Sequence, residues 1–248
     1  MRIAIITDIH EDIESLRAAF HKISRNRCDD IVCLGDISGY SVPYYSYLNK
    51  RDAHQCLKLI KENCKYIILG NHDMHAARVI PKNCNFFDYP ENWYELDYHE
   101  RKVLVNNKLW MHEENDLNPL YREEDIQFLK TLPEYIALNV ENKKILLSHY
   151  FYPNLSGVNK DFYTYPDELK EHFNFMEALG CSISFAGHIH AKGTLVAKKG
   201  IIRHYMKKII ALNNASTIIG VPPVTSNVKR NGFCIFDSEN MSLEIVRI

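Results

Sequence analysis

Short apolar runs alternate with amphipathic stretches through the first third of the chain. Residues 2–7, 31–34 and 66–69 are almost continuously apolar, which is typical of strands buried on both faces of a parallel sheet. After the first run, apolar residues recur at steps of three and four, and residues 44–62 also favour a helix. Strands that alternate with helices through short connections predict parallel pairing with right-handed crossovers.

The pattern changes after this unit. Residues 76–118 mix aromatic and charged side chains without strand alternation, which favours helix and loop. Residues 123–132 and 166–179 predict two more helices, the first stopped by Pro133 and the second by Gly180. Further strands are predicted at residues 144–149, 182–186, 194–197, 201–206, 208–212, 232–237 and 242–246.

Length and composition fit one globular domain. The chain has 248 residues, of which 46% are hydrophobic and 25% charged, so an ordinary core needs no disulfides or metal staples. Because the sequence has neither repeats nor low-complexity segments, we predict a single domain over residues 1–248. A helical and loop elaboration is expected at about residues 76–130. The predicted fold is α/β: a four-layer α/β/β/α sandwich of two mixed β-sheets flanked by helices.

Charge and hydropathy exclude several classes of partner. The net charge is -1 and the pI is near 6.9, so we expect no stable nucleic-acid complex. No apolar stretch approaches the ~20 residues of a membrane span, and no signal-peptide core is visible. The seven cysteines form an odd set without a Cys-x-x-Cys pair, which favours reduced, mostly buried thiols. We therefore expect a cytoplasmic protein that does not bind membranes.

Residue types that ligate metals follow five of the predicted strands. They are Asp8 and His10, then Asp36, then Asn71, His72 and Asp73, then His149, and last His188 and His190. The carboxyl ends of parallel strands meet at one edge of an open α/β sheet, where ligands bind. Each residue alone is more simply explained as a cap or a turn residue. Five such groups, each after an apolar run, predict one common site.

The chemistry of this set indicates two metal ions. Carboxylate, amide and imidazole ligands without thiolates suit hard and borderline divalent ions. Two ions ~3.5–4 Å apart need a bridging ligand, and Asp36 is the natural bridge because its partners fall into two groups around it. A water shared by two cations loses a proton near neutral pH and becomes a nucleophile. We expect two divalent metal ions, with manganese favoured over iron, zinc, nickel and magnesium.

The motifs Asp8-Ile9-His10, Gly35-Asp36, Gly70-Asn71-His72-Asp73, His149 and Gly187-His188-Ile189-His190 together resemble the calcineurin-like metallophosphoesterase superfamily. The resemblance spans residues 3–222. It implies that the first metal is held by Asp8, His10 and His190, and the second by Asn71, His149 and His188, with Asp36 bridging. It also implies that His72 protonates the leaving oxygen and that Asp73 orients and charge-stabilises His72.

The implied activity is hydrolysis of a small phosphorylated substrate, a phosphomonoester or a phosphodiester, by a metal-bridging hydroxide. The segment from Gly35 to Tyr40 resembles the small bacterial and archaeal phosphodiesterase and diadenosine-tetraphosphatase-like branch. Tyr40 and Tyr150 are the candidate substrate contacts. Tyr40 is one of four tyrosines that flank the Asp36 loop and could stack on a nucleobase, although core or rim packing explains them more simply. Tyr150 directly follows His149 and could line the pocket. Charged residues 207–208 and 229–230 could meet substrate phosphate, and Glu11 and Asp12 are expected to add negative charge at the rim.

Two alternatives stay open. One is a hydrolase of dinucleoside polyphosphates such as diadenosine tetraphosphate, which is favoured if the tyrosines around residue 40 stack on adenine. The other is a non-catalytic metal-binding interaction scaffold. The scaffold hypothesis predicts missing ligands or a missing counterpart of His72, whereas this chain has all of them.

Overall fold

The computed structural model describes residues 1–160, 162–163, 165–206, 209–226 and 231–248. The α-helices in this part of the chain are α1 (Ile13–Arg25), α2 (Ala53–Asn63), α3 (Asn71–Ala77), α4 (Tyr98–Val105), α5 (Glu123–Lys130) and α6 (Lys170–Ala178). The strands are β1 (Arg2–Ile6), β2 (Asp30–Cys33), β3 (Tyr40–Ser41), β4 (Tyr66–Ile67), β5 (Asp116–Leu117), β6 (Tyr135–Val140), β7 (Lys143–Ser148), β8 (Ile183–Ala186), β9 (Thr194–Lys198), β10 (Ile201–Tyr205), β11 (Ile209–Ala211), β12 (Thr217–Gly220), β13 (Gly232–Asp237) and β14 (Ser242–Arg247).

Two six-stranded mixed sheets form the centre of the molecule. The first has the order β11-β14-β13-β1-β2-β4, and the second has the order β10-β9-β12-β8-β7-β6. As predicted, β1, β2 and β4 are parallel. In the second sheet β7, β8 and β12 are parallel. Each sheet therefore has parallel strands whose carboxyl ends lie at a shared edge.

The sheets lie face to face with helices outside, which confirms the four-layer α/β/β/α prediction. Alternate side chains of β1 show the layering: Ile3 and Ile5 join a core between the two sheets, whereas Ala4 and Ile6 join a second core under the helices. A third core lies between the second sheet and α6. The near-continuous apolar run of β1 is thus explained by burial on both faces.

Several helices begin and end where the sequence indicates. The Asp12 carboxylate accepts a hydrogen bond from Ser15 N at 3.0 Å and caps α1. Gly180 follows α6 with a φ of 69°. Glycine adopts this left-handed conformation easily, and helices commonly end at such a residue. The cysteines are free thiols, and five of the seven are buried.

The helix predicted over residues 44–62 is wrong in its first part. The Asp52 carboxylate accepts a hydrogen bond from Gln55 N at 3.0 Å, so α2 starts only at Ala53. The preceding tyrosines, Tyr45 and Tyr47, instead pack with Tyr40 in a small aromatic core. The spacing of apolar residues suggested helical turns here, but the segment instead takes a conformation that buries these rings.

Four strands were missed: β3, β5, β6 and β12. The strand β12 lies inside the second sheet between β8 and β9, although residues 213–216 before it resemble a turn. Its four residues are all buried, and a run this short has no diagnostic periodicity. The first residue of the strand predicted at 208–212 lies outside the described part of the chain, and β11 occupies Ile209–Ala211.

Residues 76–118 form an insert with a small core of its own, which includes Trp93, Val105 and Met111. Its helix and loop content agrees with the prediction, but it also contains β5. Pairing of β5 with β3 places Asp116 opposite Ser41, close to the loop that carries Asp36. By contrast, α5 packs in the outer helical core through Leu129.

Candidate metal centre

The predicted metal-ligating residues meet where the carboxyl ends of both sheets converge. Asp8 follows β1, Asp36 follows β2 and Asn71 starts α3 just beyond β4, all from the first sheet. His149 follows β7, and His188 and His190 follow β8, from the second sheet. We call these residues the strand-end wall: Asp8, His10, Asp36, Asn71, His149, His188 and His190.

A first group of ligand atoms surrounds Asp8. His190 Nε2 lies 3.4 Å from Asp8 Oδ1, and His10 Nε2 lies 3.9 Å from the same oxygen. The two imidazole nitrogens are 3.0 Å apart. His10 Nδ1 is 2.9 Å from Gly39 O, and a proton donated to that carbonyl leaves the Nε2 lone pair facing the group.

A second group surrounds Asp36. His149 Nε2 lies 3.1 Å from Asp36 Oδ2, outside hydrogen-bonding geometry, and His188 completes a cluster of ligand atoms within 4.8 Å of one another. His149 Nδ1 is 2.7 Å from Leu34 O, which fixes the ring with Nε2 toward the site. Asp36 Oδ2 is also 3.8 Å from His10 Nε2, so Asp36 lies between the groups.

Three buried atoms of the second group have no hydrogen-bond partner among the described residues. They are Asn71 Oδ1, His149 Nε2 and His188 Nε2. An unpaired buried polar atom costs free energy, and unpaired atoms on three ligand-type side chains at this end of the sheets suit a bound cation. The nitrogen and oxygen donors also suit a divalent ion of borderline hardness. The residues present therefore fit metal ions.

The backbone of the strand-end wall is strained. Asp8, His10, Asp36, His188 and His190 have φ values of 52°, 48°, 52°, 66° and 47°, in the left-handed region that non-glycine residues seldom adopt. Such conformations persist where the surrounding structure imposes them, and they concentrate at functional sites. Here the strained turns direct side chains from separate strands into one space.

Two glycines allow the close approach of ligand-bearing segments. A Cβ at Gly70 would collide with the Asp36 carboxylate. A Cβ at Gly157 would lie 2.6 Å from His188 Nδ1, and Gly157 also has a φ of 79°. Gly70 belongs to a predicted motif, whereas no sequence signal distinguished Gly157.

The carboxylates remain ionised although they are buried. Burial alone would raise the pKa of Asp8, but attraction to His190 and His149 outweighs it and lowers this pKa to about 2. Burial would also raise the pKa of Asp36, but attraction to His149 and His72 outweighs it and holds this pKa well below its usual range. Two permanent negative charges thus lie in the centre at pH 7.

The histidines divide into two classes. Burial lowers the pKa of His10 and His188 to about 3, so both are neutral lone-pair donors at pH 7. Burial also opposes charge on His72 and His149, but attraction to the Asp36 carboxylate outweighs it and raises the pKa of each to about 9. A metal ion bound to His149 Nε2 would displace that proton.

His72 stands beside the centre with its two ring nitrogens in different surroundings. Its Nε2 is 4.0 Å from Asp36 Oδ2, and its backbone N–H donates to Asp36 Oδ1 at 3.0 Å. Its Nδ1 lies 2.7 Å from Asp116 Oδ2. The His112 ring is perpendicular to that of His72, with centroids 4.6 Å apart.

Asp73 does not occupy the position predicted for it. Its carboxylate accepts hydrogen bonds from Ile37 N, Ser38 N, Ser38 Oγ and Gly70 N at 2.9–3.2 Å. These donors belong to the Asp36 loop and to the start of α3, so Asp73 joins the two segments. The carboxylate in contact with His72 Nδ1 is Asp116, which lies outside the motifs.

The predicted substrate contacts are also displaced. Tyr40 is 2% exposed, and its hydroxyl donates to Tyr45 O at 2.9 Å. Tyr150 is fully buried; its hydroxyl accepts a hydrogen bond from Tyr163 N, and its ring packs beside His188. Neither residue lines the cavity over the centre, because burial of the aromatic rings in the core outweighs their proximity to ligands in sequence.

Glu11 and Asp12 are buried as well, at 1% and 2% exposure, so the predicted negative rim is wrong. The Glu11 carboxylate pairs with Arg51 at 3.5 Å, and that of Asp12 accepts hydrogen bonds from Ser15 N and Ser226 N. Charged residues 207–208 and 229–230 lie outside the described part of the chain.

A cavity of about 400 Å³ opens over the strand-end wall. The rest of its lining includes a set of residues that we call the aromatic wall: Ser41, Tyr44, Tyr45, Trp110, Asn159, Lys160 and Phe162. Tyr44 is 54% exposed and Phe162 48% exposed. Ser41 Oγ and Trp110 Nε1 are buried without a hydrogen-bond partner among the described residues. Distant parts of the chain supply this wall, so no local motif indicates it.

Comparison with known proteins agrees with this geometry. The family model for calcineurin-like phosphoesterases matches residues 1–192, and the chain belongs to this family of metal-dependent phosphoesterases. Uncharacterized protein MJ0912 of Methanocaldococcus jannaschii is 28% identical over 253 residues, covering 99% of this chain and 86% of that protein.

Solved structures show the same fold. A metallophosphoesterase from Sphaerobacter thermophilus has a TM-score of 0.67 at 19% identity, covering 100% of this chain and 88% of its own. Hypothetical protein PH1004 from Pyrococcus horikoshii OT3 has a TM-score of 0.62 at 13% identity, covering 100% and 87%. Within the described residues of this chain, no helix is long and apolar enough to cross a membrane.

Proposed function

We propose that this protein hydrolyses a phosphate ester of a small molecule at a centre of two divalent metal ions. One ion would be held by Asp8, His10 and His190 and the other by Asn71, His149 and His188, with Asp36 between them. The observation that carries the proposal is the convergence of buried, partnerless ligand atoms on a space between two carboxylates. The proposed substrate is neither a nucleic acid nor a membrane component.

Ions bound there would lower the pKa of a shared water and offset the negative charge of the phosphate oxygens. The side chain of His190 is 27% exposed and that of His72 is 12% exposed, so the centre is open to the cavity. We assign His72 Nε2 the donation of a proton to the leaving oxygen as the P–O bond breaks. General acid catalysis of this kind contributes about 10²–10⁴-fold.

Manganese is the proposed metal. The set combines two carboxylates, one amide and four imidazoles without a thiolate, which manganese, iron and zinc accept. A site built from carboxylate, amide and imidazole ligands does not select soft ions. Reconstitution of the metal-stripped protein with single metals tests this choice.

The aromatic wall supports a substrate whose organic group is flat and aromatic. Tyr44 and Trp110 line the cavity, and Phe162 lines it with its ring stacked on that of His188, the centroids 5.2 Å apart. Stacking of a base on an aromatic ring contributes about 1–3 kcal/mol. Ser41 and Trp110 add polar side chains to the lining, and their Oγ and Nε1 atoms are buried without a hydrogen-bond partner among the described residues. A nucleotide has both a flat aromatic ring and hydrogen-bonding groups on that ring. Lys160 also lines the cavity, and its positive charge would attract further phosphate groups of the substrate.

The exposed rings also favour a second candidate, hydrolysis of a dinucleoside polyphosphate. Tyr40, Tyr45 and Tyr47 are buried and pack on one another, so they are not the stacking surface for adenine. Tyr44 and Phe162 would take that role instead. An interaction scaffold would show no turnover, and the hypothesis predicts missing ligands or a missing counterpart of His72, whereas this chain has all of them.

The experiment supplies metal-stripped protein with manganese, magnesium, zinc or no metal. Substrates are 4-nitrophenyl phosphate, bis(4-nitrophenyl) phosphate and diadenosine tetraphosphate. Metal-dependent turnover by the wild type that Asp36→Asn abolishes supports the proposal, and the preferred substrate chooses between the two catalytic candidates. A folded protein that binds two metals and turns over nothing in the panel favours the scaffold.

A further inference from the structure

A carboxylate from the insert reaches the side of His72 that faces away from the centre. Asp116 Oδ2 lies 2.7 Å from His72 Nδ1 and 3.1 Å from His112 Nδ1. The side chains of Asp116 and His112 are each 7% exposed. Because β5 pairs with β3, Asp116 is held opposite Ser41, beside the Asp36 loop. The contact thus depends on the insert and not on the metallophosphoesterase motifs.

We propose that Asp116 is the positioning residue for His72 and that the insert thereby completes the active site. This inference rests on the proposed function, because it concerns the proton that His72 donates. A carboxylate at Nδ1 keeps a proton on that nitrogen and directs Nε2 toward the leaving group. When Nε2 gives its proton to the leaving oxygen, the ring becomes the neutral tautomer with Nδ1–H still paired to Asp116.

Two features separate Asp116 from a residue that only stabilises the fold. Its Oδ1 is buried without a hydrogen-bond partner among the described residues, so half of the carboxylate makes no structural bond. Asp73, by contrast, accepts its hydrogen bonds from backbone and hydroxyl groups of the surrounding loops. The pair His72–Asp116 is close but not aligned as a hydrogen bond, which is common before substrate binds.

His112 fixes Asp116 in turn. Its Nδ1 contacts the same oxygen as His72, and its ring stacks on that of His75 with centroids 4.7 Å apart. The carboxylate is therefore shared by two imidazoles from different segments. The ligand-type atoms of His72, His112 and Asp116 also lie within 4.8 Å of one another, so a third metal ion is the competing explanation for this cluster.

The test compares leaving groups of increasing basicity: 4-nitrophenolate, phenolate and an alkoxide. A basic leaving group needs the proton from His72, whereas 4-nitrophenolate leaves without it. Asp116→Asn should lower kcat by about 100-fold for the alkyl ester but by about threefold or less for the nitrophenyl ester. Glu114→Gln, a neighbouring carboxylate paired with Lys102 on the outer surface, should leave both rates unchanged.

Three further measurements exclude other roles. In a His72→Asn background, Asp116→Asn should have no additional effect, because the two residues act as a unit. In the metal-free protein, nitrogen-15 NMR of the histidines should show a protonated Nδ1 for His72 that Asp116→Asn removes. Metal content should stay at two ions per chain in wild type and variant. If Asp116→Asn does not fold, Asp116→Glu is compared by the same series.

A uniform loss of activity over all three leaving groups overturns the inference and makes Asp116 structural. A third bound metal that is lost in Asp116→Asn also overturns it. Neither result affects the proposed function, because the wild type would still hydrolyse the esters. If the wild type shows no metal-dependent turnover with any ester, the proposed function fails first, and the NMR result decides whether the pair exists.

Discussion

The two walls of the cavity are built in different ways. Five of the seven residues of the strand-end wall are buried, its backbone is strained, and backbone carbonyls fix two of its ligand rings. The aromatic wall comes from distant segments and includes two rings that are about half exposed. This division is physically reasonable: rigid strand ends hold reacting groups in place, and loops vary to select the substrate. The comparison predicts different losses for substitutions on the two walls.

The largest effect is expected from Asp36→Asn. Loss of the charge between the two groups of ligand atoms should lower kcat/KM by at least about 1,000-fold, because the electrostatic contribution of the metals is several kcal/mol. Metal content and turnover are measured on the same sample. Asp30→Asn, which changes an outer carboxylate of β2 paired with Lys65, serves as the control. Retention of both metals and full turnover in Asp36→Asn would contradict the proposed centre.

Gly157→Ala should have the next largest effect. A Cβ there presses on the His188 ring, so we expect metal affinity to fall by about 10–100-fold, as for other changes that reorient a ligand. Gly200→Ala is the matched control, because Gly200 has the same φ of 79° but nothing within 4 Å of the added carbon. Isothermal titration of the metal-free proteins measures the difference. Equal losses in both variants would mean that backbone strain alone is responsible.

Tyr44→Leu should alter substrate binding more than catalysis. Removal of one stacking surface on the aromatic wall should raise KM for a nucleotide by about tenfold with little change in kcat. Tyr165→Leu, at an exposed tyrosine that does not line the cavity, is the control. Steady-state kinetics with an aromatic and an aliphatic phosphate ester separates the cases. A drop in kcat for both esters would assign Tyr44 to the chemistry.

The smallest effect on turnover is expected from His172→Gln, which changes pH-dependent stability instead. His172 is fully buried between Tyr152 N and Ser184 Oγ, and burial lowers its pKa to about 3. The unfolded chain binds this proton below about pH 6.5, so stability is complete above that pH and falls as the pH approaches 3.

Urea unfolding at pH 7 and pH 4.5 measures this contribution. The wild type should lose about 2–3 kcal/mol more than His172→Gln between the two pH values, since each unit of pKa difference corresponds to about 1.4 kcal/mol. An equal loss in both proteins would show that His172 is not the group responsible. Because His172 lies on the buried side of α6 and does not line the cavity, turnover at pH 7 should be nearly unchanged.

Sequence reasoning succeeded where one local pattern carried the information. The strand β1 was predicted from its continuous apolar run, and Asp8 from its place directly after that run. The order of strands, turns and ligand types along the chain was sufficient to predict the four-layer fold. The prediction of substrate contacts failed for Tyr40 and Tyr150, because residues near a metal ligand in sequence can point into the core.

The sequence by itself thus determined which residues could ligate metals, because polar side chains after buried strands must emerge at the edge of a sheet. Only the tertiary structure decided which distant residues meet them at the site. Asp116 meets His72 through the pairing of β5 with β3, and Phe162 reaches the same cavity from a loop far along the chain. Contacts between distant segments depend on how loops close over the core, and no periodicity in the sequence encodes that closure.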